Sequence, residues 1–212
     1  MANMPADPRP RQVSVADWFD TEAGLALARA QSSLLLQCLA QRPHQPLLWC
    51  GPGHGWPAQR PASARLIALH GDGLRWSGDL QARRPLPLAN ASIGTVVLQH
   101  PPASRAAGLL ADCQRLLLPG GVLLLVVGRR VCTSRVLHPG LPLWAAPPGG
   151  WRRQLAEQGL LLRAVHRFGS DLQLSSACVV LEAEKRTLAP IGPRPTRKLT
   201  VQVASRQSLK VT

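Results

Sequence analysis

The segment that most narrows the folds open to this chain is Val122-Leu123-Leu124-Leu125-Val126-Val127. It is apolar at every position and flanked by Pro119-Gly120-Gly121 and Gly128. It falls far short of the roughly 20 residues that cross a bilayer. It is strand length, and a strand with no polar face must be covered on both sides. Cover on both sides means helices above and below a sheet, so an α/β layered fold is expected.

The flanking segments supply the layers. A helix is predicted from Asp20 or Thr21, either of which can cap its free N–H groups. Leu25, Ala28, Ser32, Leu35, Leu36 and Leu39 follow at helical spacing, and Pro43 and Pro46 stop it. Trp18 and Phe19 are expected to pack against its entry. Residues 47–50 form a short strand that runs into Gly51-Pro52-Gly53-His54-Gly55. A second strand covers 66–69, Gly71-Asp72-Gly73 is a turn, and Leu74-Arg75-Trp76 is a third, short strand ending near Asp79. The β-branched run 93–98 is a fourth. Ser104 is placed to cap a helix with Ala107, Leu110, Cys113 (or Gln114) and Leu117 on one face. After the 122–127 strand comes a long Pro-rich insertion over 129–150, then a short helix at 151–158. Two last strands, 160–168 and 177–184, have no helix between them and are expected to form an antiparallel hairpin.

Charge divides the chain into three parts. The total is 25 Lys+Arg against 11 Asp+Glu, a net +14. Half of that excess lies from residue 185 onward, in Lys185, Arg186, Arg194, Arg197, Lys198, Arg206 and Lys210, with no acidic residue among them. The expected organisation is a flexible arm at 1–12, one domain at 13–184, and a basic, flexible tail at 185–212. Such a tail can hold phosphate backbone non-specifically, yet it lacks interleaved aromatics for stacking on bases. A solvated tail is the favoured reading, and nucleic acid is not the favoured partner. Cys38, Cys50, Cys113, Cys132 and Cys178 are odd in number with no CxxC spacing, so neither a disulfide framework nor a metal site is expected. No signal or membrane segment is read at the N-terminus, which points to a cytoplasmic protein.

The order of motifs is specific. A strand leads into GxGxG, a Leu86-Pro87-Leu88 loop precedes a strand ending Gln99-His100, and a helix leads through Leu118-Pro119-Gly120-Gly121 into the apolar strand. This resembles the class I S-adenosylmethionine-dependent methyltransferases, and more narrowly the methyltransferase type 11 group, over residues 14–184. Trp18-Phe19-Asp20-Thr21 is similar to the opening of a small uncharacterised subgroup that begins WF-x-TPLG. The resemblance implies a Rossmann-like, seven-stranded, mostly parallel sheet with an antiparallel C-terminal edge and helices on both faces. It also implies an S-adenosylmethionine site at the carboxyl ends of the first four strands, which agrees with the general rule for open α/β sheets.

The resemblance assigns roles residue by residue. Gly51, Gly53 and Gly55 let the backbone approach the cofactor where a Cβ would intrude. The family has an acid two residues before the first of these glycines, and here that position is Trp49. Pro57 and Pro61 disfavour the helix that normally follows. The acid expected at the end of the second strand is replaced by His70. Asp72 then either substitutes as the ribose contact or only shapes the Gly-Asp-Gly turn. Asp79 and Leu80 correspond to the adenine surroundings. Gln99 and His100 end the fourth strand over the reacting centre, with His100 as base or acceptor contact, or simply packed beneath Pro101-Pro102. His100-Pro101-Pro102-Ala103 lacks both specificity elements of the (Asn/Asp)-Pro-Pro-(aromatic) motif of amino-methylating enzymes. Asp17, Trp18, Trp56, Trp144 and Trp151 are candidate pocket walls.

Three functions follow from these features. The first is methyl transfer from S-adenosylmethionine to a small-molecule acceptor. The second is an inactive, methyltransferase-like interaction module that has lost the cofactor, as the replacements at Trp49 and His70 would produce. The third, resting on charge alone, is a nucleic-acid-binding or RNA-modifying protein.

Overall fold

A computed structural model describes residues 15–42, 44–53, 65–128, 148–167 and 178–186. The arm at 1–12, His54, Gly55, Trp56, Trp144, nearly all of the insertion and the tail beyond Arg186 lie outside the described residues. Eight strands form one sheet: β1 (Leu47–Gly51), β2 (Leu66–Gly71), β3 (Arg75–Gly78), β4 (Ala82–Arg83), β5 (Ile93–Gln99), β6 (Leu117–Gly128), β7 (Leu160–Arg167) and β8 (Cys178–Lys185). Their spatial order is β4-β3-β2-β1-β5-β6-β8-β7. β1 lies parallel to β2 and β5, and β5 parallel to β6. β8 lies between β6 and β7 and runs antiparallel to both, so the last two strands pair as the antiparallel hairpin expected of them.

Strand alternation sends side chains to two helical layers. Leu48, Cys50, Val96, Leu98, Leu123, Leu125 and Val127 face one core with helices α3 (Ala106–Leu116) and α4 (Pro148–Glu157). Leu47, Trp49, Val97, Val122, Leu124 and Val126 face the other, against Leu35 and Leu39 of α2 (Glu22–Ala40). The apolar run of β6 thus feeds both cores alternately. Thr21 caps α2 as expected, its hydroxyl oxygen accepting the Gly24 N–H at 3.2 Å. A short helix α1 (Val15–Phe19) precedes it and carries the buried Trp18 and Phe19.

Two expectations change. The sheet has eight strands rather than seven, because the β2 edge is a hairpin extended by the two-residue β4. β3 runs antiparallel to β2. Only residues 72–74 join them, whereas a parallel return needs a crossover of a dozen or more residues. Asp72 fixes that turn, its Oδ1 accepting the Leu74 and Arg75 N–H groups at 2.8 Å each, and Gly73 takes φ +83°. The second change concerns α3. A 3-10 turn at Ala103–Arg105 precedes it, so Ser104 lies outside its N-cap, and no side chain caps the helix. Its buried face is Ala106, Leu109, Leu110, Cys113 and Leu116, while Ala107 is exposed and Leu117 already belongs to β6.

The Leu86-Pro87-Leu88 loop is braced from α3. Arg115 Nη1 donates to Leu88 O and Asn90 Oδ1, and Nη2 to Leu86 O, each at 2.8 Å. Asp112 lies 3.6 Å from Arg115 and 3.9 Å from Arg84. Burial raises its carboxyl above the usual range despite those two cations. Arg115→Ala removes three donors and half of the charge around Asp112. It is expected to lower stability by about 2–4 kcal/mol and to speed amide exchange over 86–90. A loss under about 0.5 kcal/mol in urea unfolding, the scale of an ordinary surface change, would show that the loop does not depend on this brace.

Candidate active site

β1 and β5 are neighbours, and the chain leaves β1 for β2 on one side and returns as β5 on the other. Their carboxyl ends therefore meet at the switch point of the sheet, where open α/β folds bind ligands. Gly51, Pro52 and Gly53 close β1 and are buried. Beside them, Gln99 closes β5 and His100 follows, its backbone N–H donating to Val126 O at 2.9 Å. His100 has φ +47°, an uncommon conformation for a non-glycine residue.

Trp49, where the family carries an acid, is fully buried. Its Nε1–H donates to Gln99 Oε1, Gln99 Nε2 donates to Gln31 Oε1 at 3.1 Å, and Gln31 Nε2 lies 2.9 Å from His100 Nε2. Read in that direction, Gln31 Nε2 donates to an unprotonated His100 Nε2, which also lies 3.1 Å from Gln31 Oε1, and the neutral ring carries its proton on Nδ1. Burial agrees with this, since it lowers the His100 pKa to about 3. The ring of Phe19 lies over the imidazole with centroids 4.8 Å apart. Trp18 meets Phe19 edge-on at 5.0 Å.

An uncharged chain of four side chains thus joins β1, β5 and α2 beneath the switch point. Gln31 is the member that sequence reading missed. Its signal was a polar residue spaced four from Leu27 and four from Leu35 on the buried helix face. The position expected of a catalytic base is held by a neutral, buried imidazole whose Nε2 is already engaged.

The other expected contacts separate. Asp72 lies beyond the end of β2, spent on its turn and on Arg105 Nη1 at 3.2 Å. Burial pushes its carboxyl up, but the Arg75 and Leu74 N–H groups and Arg105 outweigh that and leave it below the usual value. Because β3 runs antiparallel, Asp79 falls level with Ala68, down the strand from the carboxyl end. Its Oδ2 accepts the Ala68 N–H at 2.8 Å, and Leu80 packs on the core. Asp17 is exposed on α1, and Trp151 is buried in the α3–α4 core. Cys50 and Cys113 face that same core, where burial pushes both thiols up, Cys113 to about 12. Neither is a poised nucleophile. No group of three His, Cys, Asp or Glu able to hold a metal occurs among the described residues. No helix among them is long and apolar enough to cross a membrane.

No protein-family model matches the chain, and no curated protein matches it by sequence. Solved structures do. The [4+2]-cyclase SpnF is 13% identical, over 76% of this chain and 81% of that one, with TM-score 0.55. Geranyl diphosphate C-methyltransferase from Streptomyces coelicolor A3(2), solved with geranyl diphosphate and S-adenosyl-L-homocysteine, is 13% identical over 76% and 80%, with TM-score 0.53. The N-methyltransferase NodS from Bradyrhizobium japonicum WM9 is 12% identical over 76% and 98%, with TM-score 0.51. The chain has the fold of the class I S-adenosylmethionine-dependent methyltransferases. That a cyclase is among these structures means that the fold alone leaves the reaction open.

Proposed function

We propose that this domain binds S-adenosylmethionine at the carboxyl ends of β1, β2 and β5 and transfers its methyl group to a small-molecule acceptor. The observation that carries this reading is the switch point, where the buried Gly51-Pro52-Gly53 turn and the Gln99-His100 end lie side by side in a methyltransferase fold. The residues there suit the cofactor. Gly51 and Gly53 present backbone without side chains. The Trp49–Gln99–Gln31–His100 chain carries no charge to repel a sulfonium. Asp72 is exposed beyond the end of β2, and to serve as the ribose contact it would have to give up Arg105.

When bound, the cofactor supplies a methyl group on a positively charged sulfur. The chain's own part is position rather than proton transfer. Gln99 and His100 hold the end of β5 rigid through Gln31 and Trp49, so a bound acceptor keeps one approach line, which is the larger share of catalysis for such a transfer. A neutral His100 with Nε2 engaged is not a base on this geometry. The acceptor class that fits is therefore one bringing its own lone pair, an amine or an ionised oxygen or sulfur, rather than a carbon acid.

A second reading, an interaction module without cofactor, is favoured by Trp49, whose indole fills the family's acid position and bonds to Gln99. Calorimetry separates the two. S-adenosylhomocysteine is expected to bind the full chain with Kd below about 1 mM, or more than about 4 kcal/mol, and Gly53→Val is expected to abolish the heat. No binding by wild type at millimolar ligand overturns the methyltransferase reading and leaves the module.

A further inference from the structure

On the outer edge of the sheet, β3 and β4 pair so that Arg75 stands directly opposite Arg83. Like charges directly opposite on neighbouring strands repel, and the acid of the hairpin's own turn, Asp79, is bonded to the Ala68 N–H rather than paired with either arginine. Six other arginines are spent on the protein. Arg42 donates to Gly120 O, Arg84 and Arg115 flank Asp112, Arg105 meets Asp72, Arg153 meets Glu157, and Arg163 meets Glu184. Neither the Arg75 nor the Arg83 guanidinium has a carboxylate partner among the described residues. Asp72, the acid nearest Arg75 along the chain, is committed to its turn and to Arg105.

The two arginines line an open surface hollow of about 310 Å³ together with Trp76, Ser77, Gln81 and Ala82. That is the lower end of the range for small-molecule sites. Alternation puts Ser77 on the same face of β3 as Arg75, while Trp76 is buried and Ala82 packs on the core as the floor. The hollow therefore offers two guanidinium forks, a hydroxyl and a side-chain amide, with no acid on its described lining.

We propose that this hollow binds the phosphate group of a small phosphorylated molecule. Guanidinium forks match phosphate oxygens in pairs. A carboxylate carries one charge and two oxygens, which a single fork satisfies. A phosphate monoester carries close to two charges and three free oxygens, which balance two forks. At about 310 Å³ the hollow has room for a phosphate with a sugar-sized group attached. The aromatic in its lining, Trp76, is buried in the core, so bases of a nucleic acid have no platform on which to stack. β4 lies three strands from β1, or about 14 Å at normal strand spacing. The phosphate site is therefore separate from the Gly51 turn, and its test needs no methyl donor.

Calorimetry on the full chain with inorganic phosphate and with ribose 5-phosphate, at constant ionic strength, tests it. Both are expected to bind, and ribose is not. Arg75→Gln and Arg83→Gln are each expected to weaken ribose 5-phosphate at least tenfold, and the double variant to abolish binding while melting no lower than wild type. Arg83→Lys, which keeps the charge and loses the fork, is expected to fall between wild type and Arg83→Gln. Arg152→Gln removes one exposed charge from α4 and is expected to change nothing. Equal affinity in wild type and double variant overturns the proposal, as does an equal loss in Arg152→Gln. So does a wild type that binds a DNA duplex but neither small phosphate, which would make the edge a polyanion surface.

Discussion

Trp49→Ala is expected to cost about 3–5 kcal/mol of stability, the range for deleting a large buried aromatic. Trp49 is fully buried in the α2-facing core, so its removal opens a cavity between Leu35, Leu39 and the central strands. It also strands the buried Gln99 Oε1, which loses its donor. Two further variants separate these contributions. Trp49→Phe keeps most of the ring and loses only the Nε1–H, so it is expected to cost about 1–3 kcal/mol. Trp49→Asp restores the family's acid but buries a carboxylate beside apolar neighbours, and is expected to be at least as destabilising as alanine. Total stabilities are usually about 5–15 kcal/mol, so both larger losses are readable in urea midpoints. An aspartate variant as stable as wild type would mean that solvent reaches this position and that Trp49 is a replaceable plug rather than a core residue.

The reach of the sequence depended on whether the deciding contact was local. The β6 run announced a strand covered on both faces because its cause lies within its own residues, and Thr21 announced the α2 start because a cap acts across one turn. The antiparallel β3 was not read from the sequence, which showed only a short third strand, although the three residues joining it to β2 are too few for a crossover. Asp79, matched to the adenine surroundings by position alone, falls level with Ala68 as a result. The candidate site was less legible. Gly51, Gly53, Gln99 and His100 were found by motif, and they do converge at one end of the sheet. Their partners are remote: Trp49 meets Gln99 across 50 positions, and Gln31 meets His100 across 69. Nothing in the local sequence specifies which polar groups will saturate one another when two layers close. The sequence could show only that Gln31 stood on an apolar face and would need partners.

The same network sets how the fold responds to acid. An imidazole ordinarily titrates near 6.5, and burial lowers His100 to about 3. Above pH 6.5 the ring is neutral in both folded and unfolded chains, and its contribution is fully present. Between those values the unfolded chain binds a proton that the folded one refuses, so stability falls as pH falls, by about 1.4 kcal/mol per unit. Over the whole window this amounts to about 5 kcal/mol, and below pH 3 the loss levels off. Carboxylates such as Asp72 add their own acid loss, so the contribution of His100 is read by difference. His100→Gln keeps an acceptor for Gln31 and forgoes the ring contact with Phe19. It is expected to be less stable than wild type at pH 7.5, with a gap that narrows steadily as urea midpoints are measured from pH 6.5 down to pH 4.5. A gap that stays constant over that range, or a His100 ring resonance titrating near 6.5, would mean that water reaches the imidazole. Nε2 would then be free to take a proton, and His100 would return as a base for acceptors that need one.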